Sequence, residues 1–218
     1  MVDTYVKPAV LERIDPQQFG VAPNSFTSYA LISMLHSWLE STDGNGATKR
    51  TAMFGFRKAF DLIDHHVLAQ KLSSYDFSES VMCWILDLLT NRKQRVKLSC
   101  NCVSEWRAVP ARVPQGTKLG PWLFLIMIND LRTLSVANTS IWKYVDDTAV
   151  AECVEKNGTS SMQSRVDEFV SKSRADGLQW NESKCMEIRI SFTKSENPLE
   201  LITMRTLTLF HPRNYQVL

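Results

Sequence analysis

Asp146 and Asp147 stand side by side in IWKYVDDTAVAE (Ile141 to Glu152), a stretch otherwise patterned as strand. Aspartate disfavours strands, and neighbouring carboxylates repel unless positive charge lies between or beside them. A tight hairpin resolves both problems: flanking strands Ile141 to Val145 and Thr148 to Val150 would carry the pair at its tip, where hard oxygens can hold a divalent cation. That arrangement suits phosphoryl transfer. A plain polar turn is the alternative for any isolated DD dipeptide.

Periodicity predicts the elements that must position the pair. Ser28 to Glu40 places Ala30, Leu31, Met34, Leu35, Trp38 and Leu39 at helical spacing, with Ser25 or Thr27 as caps, and predicts a buried amphipathic helix. Thr51 to Phe56 is predicted as a short strand, followed by a helix capped by Asp64 and running through Leu72. Ser78 caps the next helix, with Val81, Trp84, Ile85, Leu88 and Leu89 on one face. Arg95 to Ser99 and Val103 to Val109 form an expected antiparallel hairpin. Leu119 to Leu134 is apolar nearly all round, with Pro121 in its first turn, and should be a central helix. Ser160 to Asp176 is a further helix, stopped by Gly177. Cys185 to Phe192 alternates, which puts Met186, Ile188, Ile190 and Phe192 on the buried side and Glu187 and Arg189 toward solvent. The sum is an α+β fold with helices packed on one face of a mostly antiparallel sheet.

Composition sets wider bounds. A chain of 218 residues at 44% hydrophobic content can bury a substantial core. Its net charge of +2 makes no global case for nucleic acid, but Asn91 to Lys97 (NRKQRVK) gathers Arg92, Lys93, Arg95 and Lys97 into one short run. That run is either a solvated hairpin or a local nucleic-acid contact. Five cysteines without CxxC spacing fit a reducing compartment better than a disulfide framework or a zinc site. Met1 to Val10 lacks the apolar core of a signal peptide, and Trp122 to Ile128 is far short of the roughly 20 residues that span a bilayer. The expectation is an intracellular protein, cytoplasmic or nuclear, without a membrane partner.

Four segments carry a resemblance beyond pattern. FGFRKAFDLIDHHVLAQKL (Phe54 to Leu72), VPQGTKLGPWLFLIMINDL (Val113 to Leu131), YVDDT (Tyr144 to Thr148) and GLQWNESKCMEIRISF (Gly177 to Phe192) occur in the order found in reverse transcriptases of non-LTR, LINE-type retrotransposons. QFGVAPNSFTSYALISMLHSWL (Gln18 to Leu39) is similar to the segment before their first catalytic strand. The resemblance implies a polymerase palm with partial fingers over residues 1–192 and a divergent tail over 193–218. It implies RNA-directed DNA polymerisation on RNA template, DNA primer and deoxynucleotides, with Mg²⁺ or Mn²⁺ held by Asp146 and Asp147. It implies further that Phe60 stacks under the incoming sugar, that Gln115 and Gly116 meet nucleotide and template, and that Lys184 protonates the leaving pyrophosphate. Arg92, Lys93 and Arg95 are the candidate nucleic-acid contacts, with Arg107 and Arg112 beside them.

One departure bears on the chemistry. Aligning Phe56, Lys58, Ala59, Phe60 and Asp61 with the family's first motif puts Gly55 where those enzymes carry an aspartate that ligates both cations. Asp61 lies beyond the strand and matches another family position. Two readings follow: a working polymerase palm, or a non-catalytic remnant or repurposed palm that binds nucleic acid at most. The ends also lack the family's basic fingers strands and thumb, which favours the second reading.

Overall fold

The computed structural model describes every residue except 45, 110, 115, 133–138, 193–198, 205–206, 209 and 217–218, and describes the strand residues from 204 onward by backbone alone. In chain order the helices are α1 (Lys7–Arg13), α2 (Thr27–Thr42), α3 (His65–Leu72), α4 (Glu79–Leu89), α5 (Leu119–Ile128) and α6 (Met162–Ala175). The strands are β1 (Thr48–Gly55), β2 (Lys93–Gln94), β3 (Lys97–Ser99), β4 (Cys102–Val103), β5 (Arg107–Ala108), β6 (Thr139–Tyr144), β7 (Asp147–Val154), β8 (Met186–Ser191), β9 (Thr203–Met204), β10 (Leu207–Thr208) and β11 (Phe210–Gln216). They fall into two compact units, Met1–Ile14 with Lys58–Asp130 and Asp15–Arg57 with Leu131–Leu218.

The first unit is helical around α5, which is buried along its whole length apart from Pro121. Its all-round apolar sequence requires that position. Asp64 caps α3 by accepting from the backbone N–H of His66 at 2.7 Å and of Val67 at 3.3 Å, and His65 meets the Arg112 carbonyl at 2.9 Å. These roles match the capping expected at the helix start. The basic segment forms two short antiparallel ladders, β2 with β5 and β3 with β4.

The second unit is built on a five-stranded sheet in the order β11-β8-β1-β7-β6. β1 lies at its centre, antiparallel to both β7 and β8. The mostly antiparallel α+β palm expected from the sequence is present, with a helix on each sheet face rather than on one. Met34 of α2 packs with Trp142, Ala149, Ala151 and Met53, while Phe169 of α6 meets Phe54 at 5.3 Å between ring centroids. Because Met53 and Phe54 are consecutive, they point to opposite faces and each needs its own cover.

Two local expectations are corrected. α2 is not buried across its apolar residues: Leu31, Leu35 and Leu39 stay more than half exposed, because the helix seats on the sheet through the narrow stripe Ala30, Met34 and Trp38. β8 does not send its charges to solvent. Glu187 is buried, accepting from Arg50 Nε at 2.6 Å and Arg189 Nε at 2.8 Å, whereas Met186 is exposed. The tail also joins the sheet, since β11 pairs in parallel with β8 and its register shifts between Phe210 and Arg213, around Pro212. Proline cannot donate to a ladder, so an irregular edge strand is where it is tolerated.

Three buried carboxylates bind this unit together. In each, burial pushes the carboxyl up, but hydrogen bonds and cations outweigh it and hold the group below its ordinary range. Those partners are Lys143, the Gln17 N–H and Arg132 for Asp15; Ser160, Ser161 and Arg165 for Glu152; and Arg189 and Arg50 for Glu187. Depressed folded-state values contribute stability in full above the unfolded values of roughly 4 and lose it as the pH falls through them. Melting temperature should therefore change little from pH 7 to about 5 and drop steeply below about 4. A melting temperature unchanged down to pH 2.5, followed by circular dichroism at fixed ionic strength, would contradict this.

Candidate functional site

The acidic hairpin is tighter than its sequence suggests. Tyr144 pairs with Asp147, which leaves Val145 and Asp146 as a two-residue turn and makes Asp147 the first residue of β7. Val145 has φ +56°, a left-handed conformation that costs a β-branched residue about 1–3 kcal/mol. Residues Asp15 to Gly20 hold it there. The Gln18 side-chain oxygen accepts from the Gly20 N–H at 2.8 Å and from the Val145 N–H at 3.1 Å. A Cβ on Gly20 would lie 2.4 Å from Val145 Cγ2 and 2.7 Å from its backbone nitrogen, so only glycine admits the turn. The Phe19 N–H donates to the Lys143 carbonyl and the Lys143 N–H to the Gln17 carbonyl, each at 2.8 Å. Beneath them the fully buried Lys143 ammonium meets Asp15 Oδ2 at 2.8 Å. Sequence reasoning missed Gln18, Gly20, Asp15 and Lys143 as positioning residues, although the quoted QFG stretch was a usable signal.

The neighbouring strand decides what the carboxylates can do. Gly55 is the paired partner of Asp147 across β1 and β7. A Cβ at Gly55 would sit 3.4 Å from Asp147 Oδ1, 3.0 Å from Lys184 Cδ and 3.3 Å from Lys184 Cβ. The position thus faces Asp147, and the Lys184 chain borders the space a third carboxylate would occupy. Lys184 is placed by the return of the chain beside β1. The Asn181 N–H donates to the Gly55 carbonyl at 2.8 Å, the Lys184 N–H donates to the Asn181 carbonyl at 2.9 Å, and Trp180 stacks on Phe56 at 4.3 Å.

Asp147 borders an apolar cavity of about 280 Å³ lined by Leu31, Met34, Met53, Trp142 and Lys184 among others. Burial first, and the charge of Asp146 second, push its carboxyl above the ordinary range, with Lys184 pulling the other way. Divalent cations demand several hard oxygens, and a two-cation site needs a bridging ligand between them. The residues present do not fit that demand. Asp147 faces a hydrogen atom and an ammonium-bearing chain, and among the described residues no three His, Cys, Asp or Glu side chains gather as a ligand set.

The other candidates lie in the first unit. Phe60 is half-buried and stacks on Phe124 at 4.5 Å. Gly116 takes φ +75° with no atom within 4 Å of a built Cβ, and Gln115 lies outside the described residues. Asp61 is engaged by Arg112 at 3.3 Å. Lys93, Lys97 and Arg107 are exposed on the short ladders, Arg95 is exposed in the link between β2 and β3, and Arg92 is half-buried just before β2. Arg95 lies 4.6 Å over the ring of Trp106, itself 58% exposed. Sequence reasoning missed Trp106, which turns a run of cations into a basic and aromatic face.

Comparison with known proteins follows the same lines. The family profile described as reverse transcriptase (RNA-dependent DNA polymerase) matches residues 1–205. The RNA-directed DNA polymerase from mobile element jockey of Drosophila funebris is 28% identical over 218 residues, covering 96% of this chain. The chain spans only 23% of that relative's length. Apo telomerase from Candida tropicalis, truncated from its C-terminal domain, superposes with a TM-score of 0.63 at 10% identity over 89% of this chain and 42% of its own. Telomerase from Candida tropicalis in complex with a TWJ fragment of telomeric RNA gives 0.64 at 12% identity over 95% and 36%. Among the described residues no helix is long and apolar enough to cross a membrane. The profile match over residues 1–205, nearly the whole chain, places it in the reverse transcriptase family.

Proposed function

We propose that this chain is a reverse transcriptase palm that no longer transfers nucleotides and retains nucleic-acid binding through its basic hairpin. The observation that carries the first half is Gly55, paired with Asp147 and bordered by Lys184 where the bridging carboxylate belongs. The family uses divalent metal ions. In this chain Asp146 and Asp147 remain as the two ligands such ions would meet, and Lys184 stands beside them as a cation competing for the same carboxylates. In the ancestral reaction Phe60, Gln115 and Gly116 would have met the deoxynucleotide, with RNA as template and DNA as primer. Losing a bridging ligand removes several kcal/mol of transition-state stabilisation, or many orders of magnitude in rate.

The second half rests on Lys93, Arg95, Lys97 and Arg107 displayed beside Trp106. Exposed cations release counterions from phosphates, and an accessible indole offers a stacking surface to any base. Fluorescence anisotropy with an RNA–DNA hybrid should give an affinity that falls as salt rises. The combined substitution Lys93→Gln, Arg95→Gln, Lys97→Gln should flatten the log–log salt slope by roughly 3. A slope unchanged by those substitutions, or no binding at all, would sink this part of the reading.

A further inference from the structure

At the end of β1 remote from Gly55 lies a second buried lysine, besides Lys143, among the described residues. Lys49 pairs with Cys153 while Gly55 pairs with Asp147, so the two positions are roughly 20 Å apart along the strand. Lys49 is 3% exposed, and its ammonium donates to Ser37 Oγ at a long 3.4 Å, its only hydrogen bond among the described residues. Buried lysines are ordinarily paired, and this sheet supplies the comparison: Lys143, equally buried, has Asp15 Oδ2 at 2.8 Å. Burial holds the Lys49 amine below its ordinary range, with the charges of Cys153 and Glu40 opposing it.

A second polar group at the same place is also unsatisfied. Thr139 Oγ1 is buried without a hydrogen-bond partner among the described residues. Both residues line a cavity of about 660 Å³, with Lys156 and Ser140 beside them and Glu155 as its acidic residue. That volume lies in the range of small-molecule sites. A buried ammonium and an orphan hydroxyl converging on one cavity call for a ligand with several acceptor oxygens and negative charge. Among the described residues no aromatic side chain lines the cavity to offer a base a stacking surface.

We propose that this cavity binds a small phosphorylated anion through Lys49, Thr139 and Lys156. The anion supplies a close negative partner for Lys49, which now meets only the Ser37 hydroxyl among the described residues, and accepts from Thr139, and its charge outweighs the repulsion of Glu155. The site shares no residue with the acidic hairpin or the basic hairpin and does not depend on either.

Isothermal titration of the full chain with inorganic pyrophosphate, at ionic strength matched with sodium chloride, tests it. Saturable binding with one site is expected, weakened at least tenfold by Lys49→Met and less by Thr139→Val. Acetate should bind more weakly than pyrophosphate, and Lys93→Met on the basic hairpin should leave pyrophosphate binding unchanged. Absence of saturable binding, equal affinity in Lys49→Met, or loss in Lys93→Met would each overturn the proposal. Should Lys49→Met fail to fold, acylation of the native chain read by mass spectrometry decides: pyrophosphate must protect Lys49, and an unprotected Lys49 overturns the assignment.

Discussion

Gly55→Asp raises the affinity of the chain for Mn²⁺ at least about 100-fold, an expected gain of roughly 2.7 kcal/mol. The new carboxylate emerges across from Asp147 in the paired register, with its Cβ 3.4 Å from Asp147 Oδ1. Gly55 has no positive φ, so the backbone accepts a side chain without strain. The tightest neighbour is Lys184 Cδ at 3.0 Å, a flexible aliphatic chain that can swing away. A unit charge about 4 Å from another is worth about 4 kcal/mol at an effective dielectric of 20, more for a divalent cation, and part of this is offset by repulsion among three carboxylates. The gain should vanish on adding Asp146→Asn, as followed by the paramagnetic resonance of free Mn²⁺. An affinity that Gly55→Asp leaves unchanged would mean that the missing carboxylate is not what separates this site from a cation-binding one.

Asp15→Ala should cost about 3–5 kcal/mol of unfolding free energy, because it removes the 2.8 Å carboxylate partner of the buried Lys143 ammonium. The loss extends to the site, since residues 15–20 hold the strained Val145 turn through Gln18 and Gly20. Adding Lys143→Met should recover most of the stability, because an apolar replacement for both partners removes the buried charge. Urea denaturation of the single and double variants gives the comparison. A single variant within 1 kcal/mol of the native chain, or a double variant no better than the single, would contradict the role assigned to this pair.

Much of this protein was legible before its structure. The DD pair flanked by strand residues announced a hairpin, the all-round apolar Leu119 to Ile128 announced a buried helix, and the motif spacing placed Gly55 against the acidic pair. What was illegible has a common physical cause. Lys49, Arg50, Lys143 and Glu187 are buried charges, so hydrophobic alternation misassigned β8 and started β1 three residues late. α2 failed in the opposite sense, since Leu31, Leu35 and Leu39 look like core residues yet face outward. The grip of Gln18 on Val145 links positions 127 residues apart, and no local pattern reports such a contact.

Primer extension on a homopolymer RNA template with Mg²⁺ or Mn²⁺ tests the central claim most directly. The account predicts that the unaltered chain and its Asp146→Ala variant give the same background, with no nucleotide added to the primer. Extension by the unaltered chain that disappears in Asp146→Ala would show that the acidic hairpin works without a carboxylate at position 55, and the account would be wrong.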